Sequence, residues 1–282
     1  MWHVRHATLF ALPAILSRLS PTERRTLALK TVLALFVDES PTVRSGVLEA
    51  LGEVLHTFLG DLDGPPDELV HLFLGRKEDH RVRDGQQELS LQDHKKDIQS
   101  PFESFFTDPK RPLICAFNFP AVALTLGGKR WCEIREVYLQ IASNPASAVR
   151  RTLAASLSEI AKIIGPEQTR TDLTDVWWMC IKSDEEEVRT RAVECLYDLV
   201  GVVGKEVGKT LIQGLLTMWN QGALRSWRER ELVGKNIFHW VNLLGLEGAS
   251  LAREFLAKGL EDNAAAVRDT AISTVGSILR NQ

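Results

Sequence analysis

Five Val-Arg pairs punctuate this chain at Val4-Arg5, Val43-Arg44, Val149-Arg150, Val188-Arg189 and Val267-Arg268, and the runs they open share one pattern. After Val43, apolar side chains fall four, eight, eleven and fifteen residues on, at Val47, Leu51, Val54 and Phe58. The same offsets give Leu153, Leu157, Ile160 and Ile164 after Val149, and Ala192, Leu196, Leu199 and Val203 after Val188. After Val267 they give Ala271, Val275 and Ile278. Steps of three and four keep side chains on one side of a 3.6-residue helix, so each run reads as an amphipathic helix with one buried stripe. Val4 to Val43 and Val149 to Val188 are both intervals of 39 residues, which makes the pattern an internal repeat.

Two weaker copies fill the gaps. One starts at Glu229, with Arg230 in the arginine place and Val233, Ile237, Trp240 and Leu244 on the stripe. The other starts at Arg111, with Cys115, Phe119, Val122 and Leu126, and carries Pro120, which is expected to kink it. A shorter amphipathic segment precedes each: 22–36, 67–74, 130–142, 167–181, 205–219 and 247–260. Prolines 21, 145 and 166 and glycines 60, 127, 165, 204 and 245 stand at the proposed helix ends. The unit is therefore helix, short turn, helix. One hairpin cannot bury both its faces, so the expected fold is all-α, an α-α superhelix of about six to seven stacked hairpins spanning 1–282 and starting in mid-repeat. The charged segment 76–107, with Gly85, Gln86 and Gln87, exceeds the repeat and reads as a flexible insertion. Phe102, Phe105 and Phe106 at its end are either a docking motif or an anchor beneath the next repeat.

A two-helix unit of this length, with Asp38, Asn144 and Asp262 five residues before Val-Arg and Ser183 beside Asp184 in a fourth copy, resembles the HEAT repeat of armadillo-like proteins. That resemblance implies an inter-repeat ladder in which Arg44, Arg150, Arg189 and Arg268 meet acids of adjacent repeats; the alternative is ordinary charges at helix N-termini. An arginine there opposes the helix dipole, which argues for a partner. The stretch Phe117 to Leu196, with Phe117-Asn118-Phe119-Pro120-Ala121-Val122 and the run Arg150 to Lys162, is similar to the regulatory subunit 1 family of protein phosphatase 4, itself similar to the scaffold subunit of protein phosphatase 2A. What this implies is a non-catalytic regulatory scaffold that holds a Ser/Thr phosphatase catalytic subunit and orients substrates. By the same resemblance, partners dock on the turns within each repeat, here Asp38 and Glu39, Asn144, Asp184, Glu185 and Glu186, and Asp262. The acidic point Asp184 to Glu187 is equally explained as helix capping.

Composition and motifs exclude much else. A formal net charge of -3 leaves no surplus of Lys and Arg to neutralise phosphates, and no basic run is present, so no nucleic-acid partner is expected. This counts against a HEAT-like DNA glycosylase; another HEAT adaptor, for transport or chromatin, stays open. No apolar run is long enough to cross a membrane, and Arg5, His6 and Pro13 interrupt the only apolar stretch near the start, so neither a membrane span nor a signal peptide is expected. Four scattered cysteines without a C-x-x-C pair suit a reduced compartment, cytoplasmic, nuclear or both. The run Gly204 to Thr210 lacks the first glycine of a phosphate-binding loop, since Val203 stands there, and no metal or nucleophile motif occurs. No enzyme activity and no cofactor are expected. Trp131 and the Trp177-Trp178 pair are read as core, with ligand stacking as the alternative.

Overall fold

The computed structural model of the chain describes residues 1–76 and 100–280, and every regular element among them is helical. The chain divides into two compact units, Met1–Ile141 and Ala142–Gln282.

The first unit holds α1 (Trp2–Leu16), α2 (Pro21–Leu35), α3 (Pro41–His56), α4 (Asp67–Leu74), α5 (Pro101–Phe106), α6 (Arg111–Leu126) and α7 (Trp131–Ala142), which closes it. α3 packs between α1 and α6, and α2 and α4 also lie against it. The stripe residues Val47, Leu51, Val54 and Phe58 are fully buried there, as are Phe119 and Val122 of α6. α3 and α6 approach closely because Gly52 has no side chain: a Cβ at this position would lie 2.4 Å from Asn118 Cγ. The helices start where the residue chemistry dictates. Ser20 and Glu23 form a reciprocal capping box ahead of Pro21, which occupies the first turn, where its missing N–H costs nothing. α6 runs through Pro120 as one helix.

The second unit contains α8 (Ser147–Ala155), α9 (Leu157–Ile164), α10 (Thr174–Ile181), α11 (Glu186–Val203), α12 (Lys205–Asn220), α13 (Trp227–Leu244), α14 (Leu246–Leu260) and α15 (Ala265–Arg280). α11 packs on α8 and α9, α13 on α11, and α15 on α13, so the helices carrying the Val-Arg pattern form one row. α10, α12 and α14 back them.

Two local irregularities depart from the periodic reading. The run after Val149 is two helices, α8 and α9, because Ser156 leaves the helical well at φ -106° and its N–H and Oγ both turn back to Leu153 O. Serine competes with the helix for backbone partners in this way. Leu153, Leu157, Ile160 and Ile164 still share one buried stripe. The segment before α10 opens with a turn at Pro166–Gln168 and widens into a π-turn at Thr169–Leu173, where the buried Thr169 hydroxyl donates to Gly165 O at 2.6 Å.

Most of the proposed insertion, 77–99, lies outside the described residues. Its last part is a capped helix: Ser100 accepts from the Glu103 N–H, and Phe105 and Phe106 of α5 pack with Phe102 around Phe36, at ring distances of 5.6 to 6.4 Å. Of the two readings of these phenylalanines, the local anchor describes their geometry. Trp131 and Trp177 are likewise core, and Trp177 Nε1 donates to Ala192 O.

Candidate protein-binding turns

The turns ahead of α3, α8 and α15 are built by one device. Asp38, Asn144 and Asp262 each turn a side-chain oxygen onto the N–H two residues on, of Ser40, Ala146 and Ala264, at 2.9, 3.0 and 2.9 Å. Short acceptor side chains at this position therefore fold the turn itself. The arginine of the following helix then reaches back, and its Nη1 donates to two carbonyls of that turn. Arg44 holds those of Asp38 and Glu39, Arg150 those of Asn144 and Pro145, Arg189 those of Ser183 and Asp184, and Arg268 those of Asp262 and Asn263. Arg230 does the same to Leu224 and Arg225.

In Arg44, Arg150, Arg189 and Arg230 the remaining nitrogens reach a later segment of the same unit. In the first unit Arg5 grips Asp38 with two bonds of 2.6 and 2.8 Å, and Arg44 donates to the Ser104 hydroxyl at 2.9 Å. In the second, Arg150 pairs with Glu185 at 2.7 Å, Arg189 with Glu229 at 2.7 Å, and Arg230 with Asp262 at 2.6 Å. Asp38 and Asp262 thus meet Arg5 and Arg230, two arginines outside the four singled out by sequence. Arg44 meets a hydroxyl, and Arg268 binds the carbonyls of its own turn.

These contacts act on the carboxyl groups. The Arg5 guanidinium holds Asp38 below the usual carboxylate range. Arg150, then Ser183, draw Glu185 down to about 2. Burial pushes Asp262 upward, but the Arg230 bond and the Ala264 N–H outweigh it and leave the group lowered. Glu229 is fully buried, and its second oxygen accepts the Ser226 N–H in a capping box.

The seven turn residues singled out by sequence therefore divide into two sets. Asp38, Asn144, Glu185 and Asp262 are half-buried and spent on the turn or on an arginine. Glu39, Asp184 and Glu186 are exposed. Glu187 pairs with Arg151.

Three arginines work at the opposite helix ends: Arg24 and Arg170, which periodicity does not mark, and Arg111, which opens a weaker copy. Arg24 donates to Thr57 O at 2.7 Å and to both oxygens of Asp61, Arg170 to Val203 O, and Arg111 to Leu72 O and Phe73 O. Each satisfies carbonyls at a helix C-terminus, where cations are favoured by the dipole. The readable signal was a basic residue in the first turn of a Pro-started helix, as in Ser20-Pro21-Thr22-Glu23-Arg24 and Gly165-Pro166 through Arg170.

Among the described residues no group of three or more His, Cys, Asp or Glu is placed to hold a metal ion, and no helix is long and apolar enough to cross a membrane. All four cysteines are free thiols. Burial raises the Cys115 and Cys180 thiols to about 11, which keeps them protonated at neutral pH.

The described residues thus define an all-helical protein of recurring two-helix units with polar turns tied to one another by arginines. Over residues 115–218 it is homologous to the family described as the protein phosphatase 4 regulatory subunit 1 middle domain. Serine/threonine-protein phosphatase 4 regulatory subunit 1 of Homo sapiens is 35% identical over 116 residues, and the same protein of Mus musculus and of Rattus norvegicus matches equally. The aligned stretch is 41% of this chain and 12% of each relative. The homologous stretch contains Asn144, Arg150, Glu185 and Arg189.

Proposed function

We propose that this chain is a non-catalytic regulatory scaffold subunit of a Ser/Thr protein phosphatase of the phosphatase 4 type, built of HEAT repeats. The observation that carries the reading is the homology across residues 115–218. Physical support comes from the turns. Their backbones are cross-braced by buried or half-buried arginines, so Glu39, Asp184 and Glu186 project from turns with little freedom left to lose, and pre-organised groups bind at lower entropic cost. In this reading the arginine contacts form the ladder that sets repeat register, and the exposed acids face the catalytic subunit or its substrates.

The test is reconstitution. The purified chain is expected to show no phosphatase activity on a phosphopeptide, and to elute with the phosphatase 4 catalytic subunit as a stoichiometric complex in size-exclusion chromatography. Reversing charge at Glu39, Asp184 and Glu186 together is expected to weaken that complex at least tenfold, about 1.4 kcal/mol. Separate elution of the two proteins at micromolar concentration sinks the phosphatase assignment.

A further inference from the structure

The first unit carries a second surface whose chemistry the turns do not use. Along α6, Leu113, Phe117 and Leu124 point to solvent with 41, 76 and 46% of their surface exposed, and half-buried Pro120 and Ala121 fill the interval between them. The spacing follows the helical three-and-four rhythm, so these side chains form one stripe on the side of α6 away from its core residues Cys115, Phe119 and Val122. A phenylalanine with three quarters of its surface in water is an unfavourable exposure in a helix that otherwise buries its aromatics.

The neighbouring helix presents the opposite character. α3 touches α6 through Gly52 against Asn118, and His56 Nδ1 meets Thr125 Oγ1 at 3.3 Å, which places the two helices side by side in matching direction. On its exposed side α3 carries Glu49 and Glu53, and neither carboxylate has a cation partner among the described residues. Glu53 stands one turn before His56 and Leu124 is next to Thr125, so the contact between His56 and Thr125 joins the acidic side of α3 to the apolar row of α6.

We infer that this face binds an amphipathic helix of a partner protein, one whose apolar side chains seat on Leu113, Phe117 and Leu124 while flanking Lys or Arg meet Glu49 and Glu53. The apolar row supplies the burial that drives helix-in-groove association, and the carboxylates on one flank set orientation and exclude acidic helices. The inference is independent of the phosphatase reading, because it uses none of the turn residues.

The experiment uses the full chain and two labelled synthetic peptides, roughly 18 residues long as a helix-in-groove ligand requires, with leucines at helical three-and-four spacing. One carries lysine at every other position and the other carries glutamate there. Fluorescence anisotropy is expected to show saturable binding of the Leu/Lys peptide and none of the Leu/Glu peptide. Phe117→Asp, and separately Leu124→Asp, are expected to weaken binding at least tenfold. Both residues are exposed, so circular dichroism should report an intact fold. The double variant Glu49→Lys, Glu53→Lys is expected to lose the Leu/Lys peptide, whereas Glu194→Lys on α11 leaves it bound. Binding of the Leu/Lys peptide that ignores Phe117→Asp, or no binding at all, overturns the inference. So does sedimentation showing a dimer of the parent chain that Phe117→Asp converts to monomer, since the face is then covered by a second copy.

Discussion

Arg189 and Glu229 show how much can depend on a single pair. Both side chains are almost wholly buried, and Glu229 also completes the cap of its own helix. Removing one member of a buried ion pair strands the other charge in a medium that solvates it poorly. Glu229→Ala is therefore expected to destabilise the protein by about 3–5 kcal/mol in urea unfolding, with Glu229→Gln, which keeps the cap acceptor, in between. Glu185 offers a different signature. Its carboxyl is held near 2 by Arg150, against an ordinary 4.5, so its stabilising effect is complete above pH 4.5 and fades as pH falls toward 2. The difference in melting temperature between the parent chain and Glu185→Gln should accordingly be constant at neutral pH and shrink through that acidic window. A gap that does not change between pH 6 and pH 2.5 would show that Arg150 gains nothing from the carboxylate charge.

At the scale of helices, the decisive contacts are close approaches. Gly52 lets α3 and α6 lie near enough for Asn118 to pack against bare backbone. Gly52→Ala would drive a methyl group into the Asn118 Cβ and Cγ, atoms that cannot swing aside as a chain end can. It is expected to cost about 1–3 kcal/mol, as overpacking does, measured by denaturant unfolding with unchanged slope. The helices themselves were largely legible in sequence, since stripe periodicity with prolines and glycines at the ends locates them within about a turn. What escaped was local competition for hydrogen bonds. The break at Ser156 and the π-turn at Thr169 arise where a hydroxyl bonds to backbone oxygen, and apolar periodicity carries no trace of such bonds.

Considered as a whole, the chain makes arginine cross-links within each of its two units. Arg150–Glu185, Arg189–Glu229 and Arg230–Asp262 all lie inside Ala142–Gln282. A compact unit with its own core and its own cross-links can fold alone, so a fragment of residues 142–282 is expected to keep a helical circular dichroism spectrum and to melt cooperatively. A fragment that is unfolded at 20 °C would mean that stability resides in contacts these pairs do not include.

The repeat, the all-helical fold and the relationship to phosphatase 4 regulatory subunit 1 were readable from residue order, because apolar spacing and short motifs are local properties that burial merely uses. The turn position of Asp38, Asn144 and Asp262 was equally readable, as an Asx acceptor serves a backbone N–H two residues away. Which acid each arginine meets was not. Asp38 answers Arg5 across 33 residues and Glu229 answers Arg189 across 40, while Arg150 takes Glu185 rather than its neighbour Asp184. Nor could periodicity separate exposed Glu39, Asp184 and Glu186 from their engaged neighbours, or bring Thr125 of α6 against His56 of α3. A charge finds its partner through space, and the distances that select it exist only once the helices have packed.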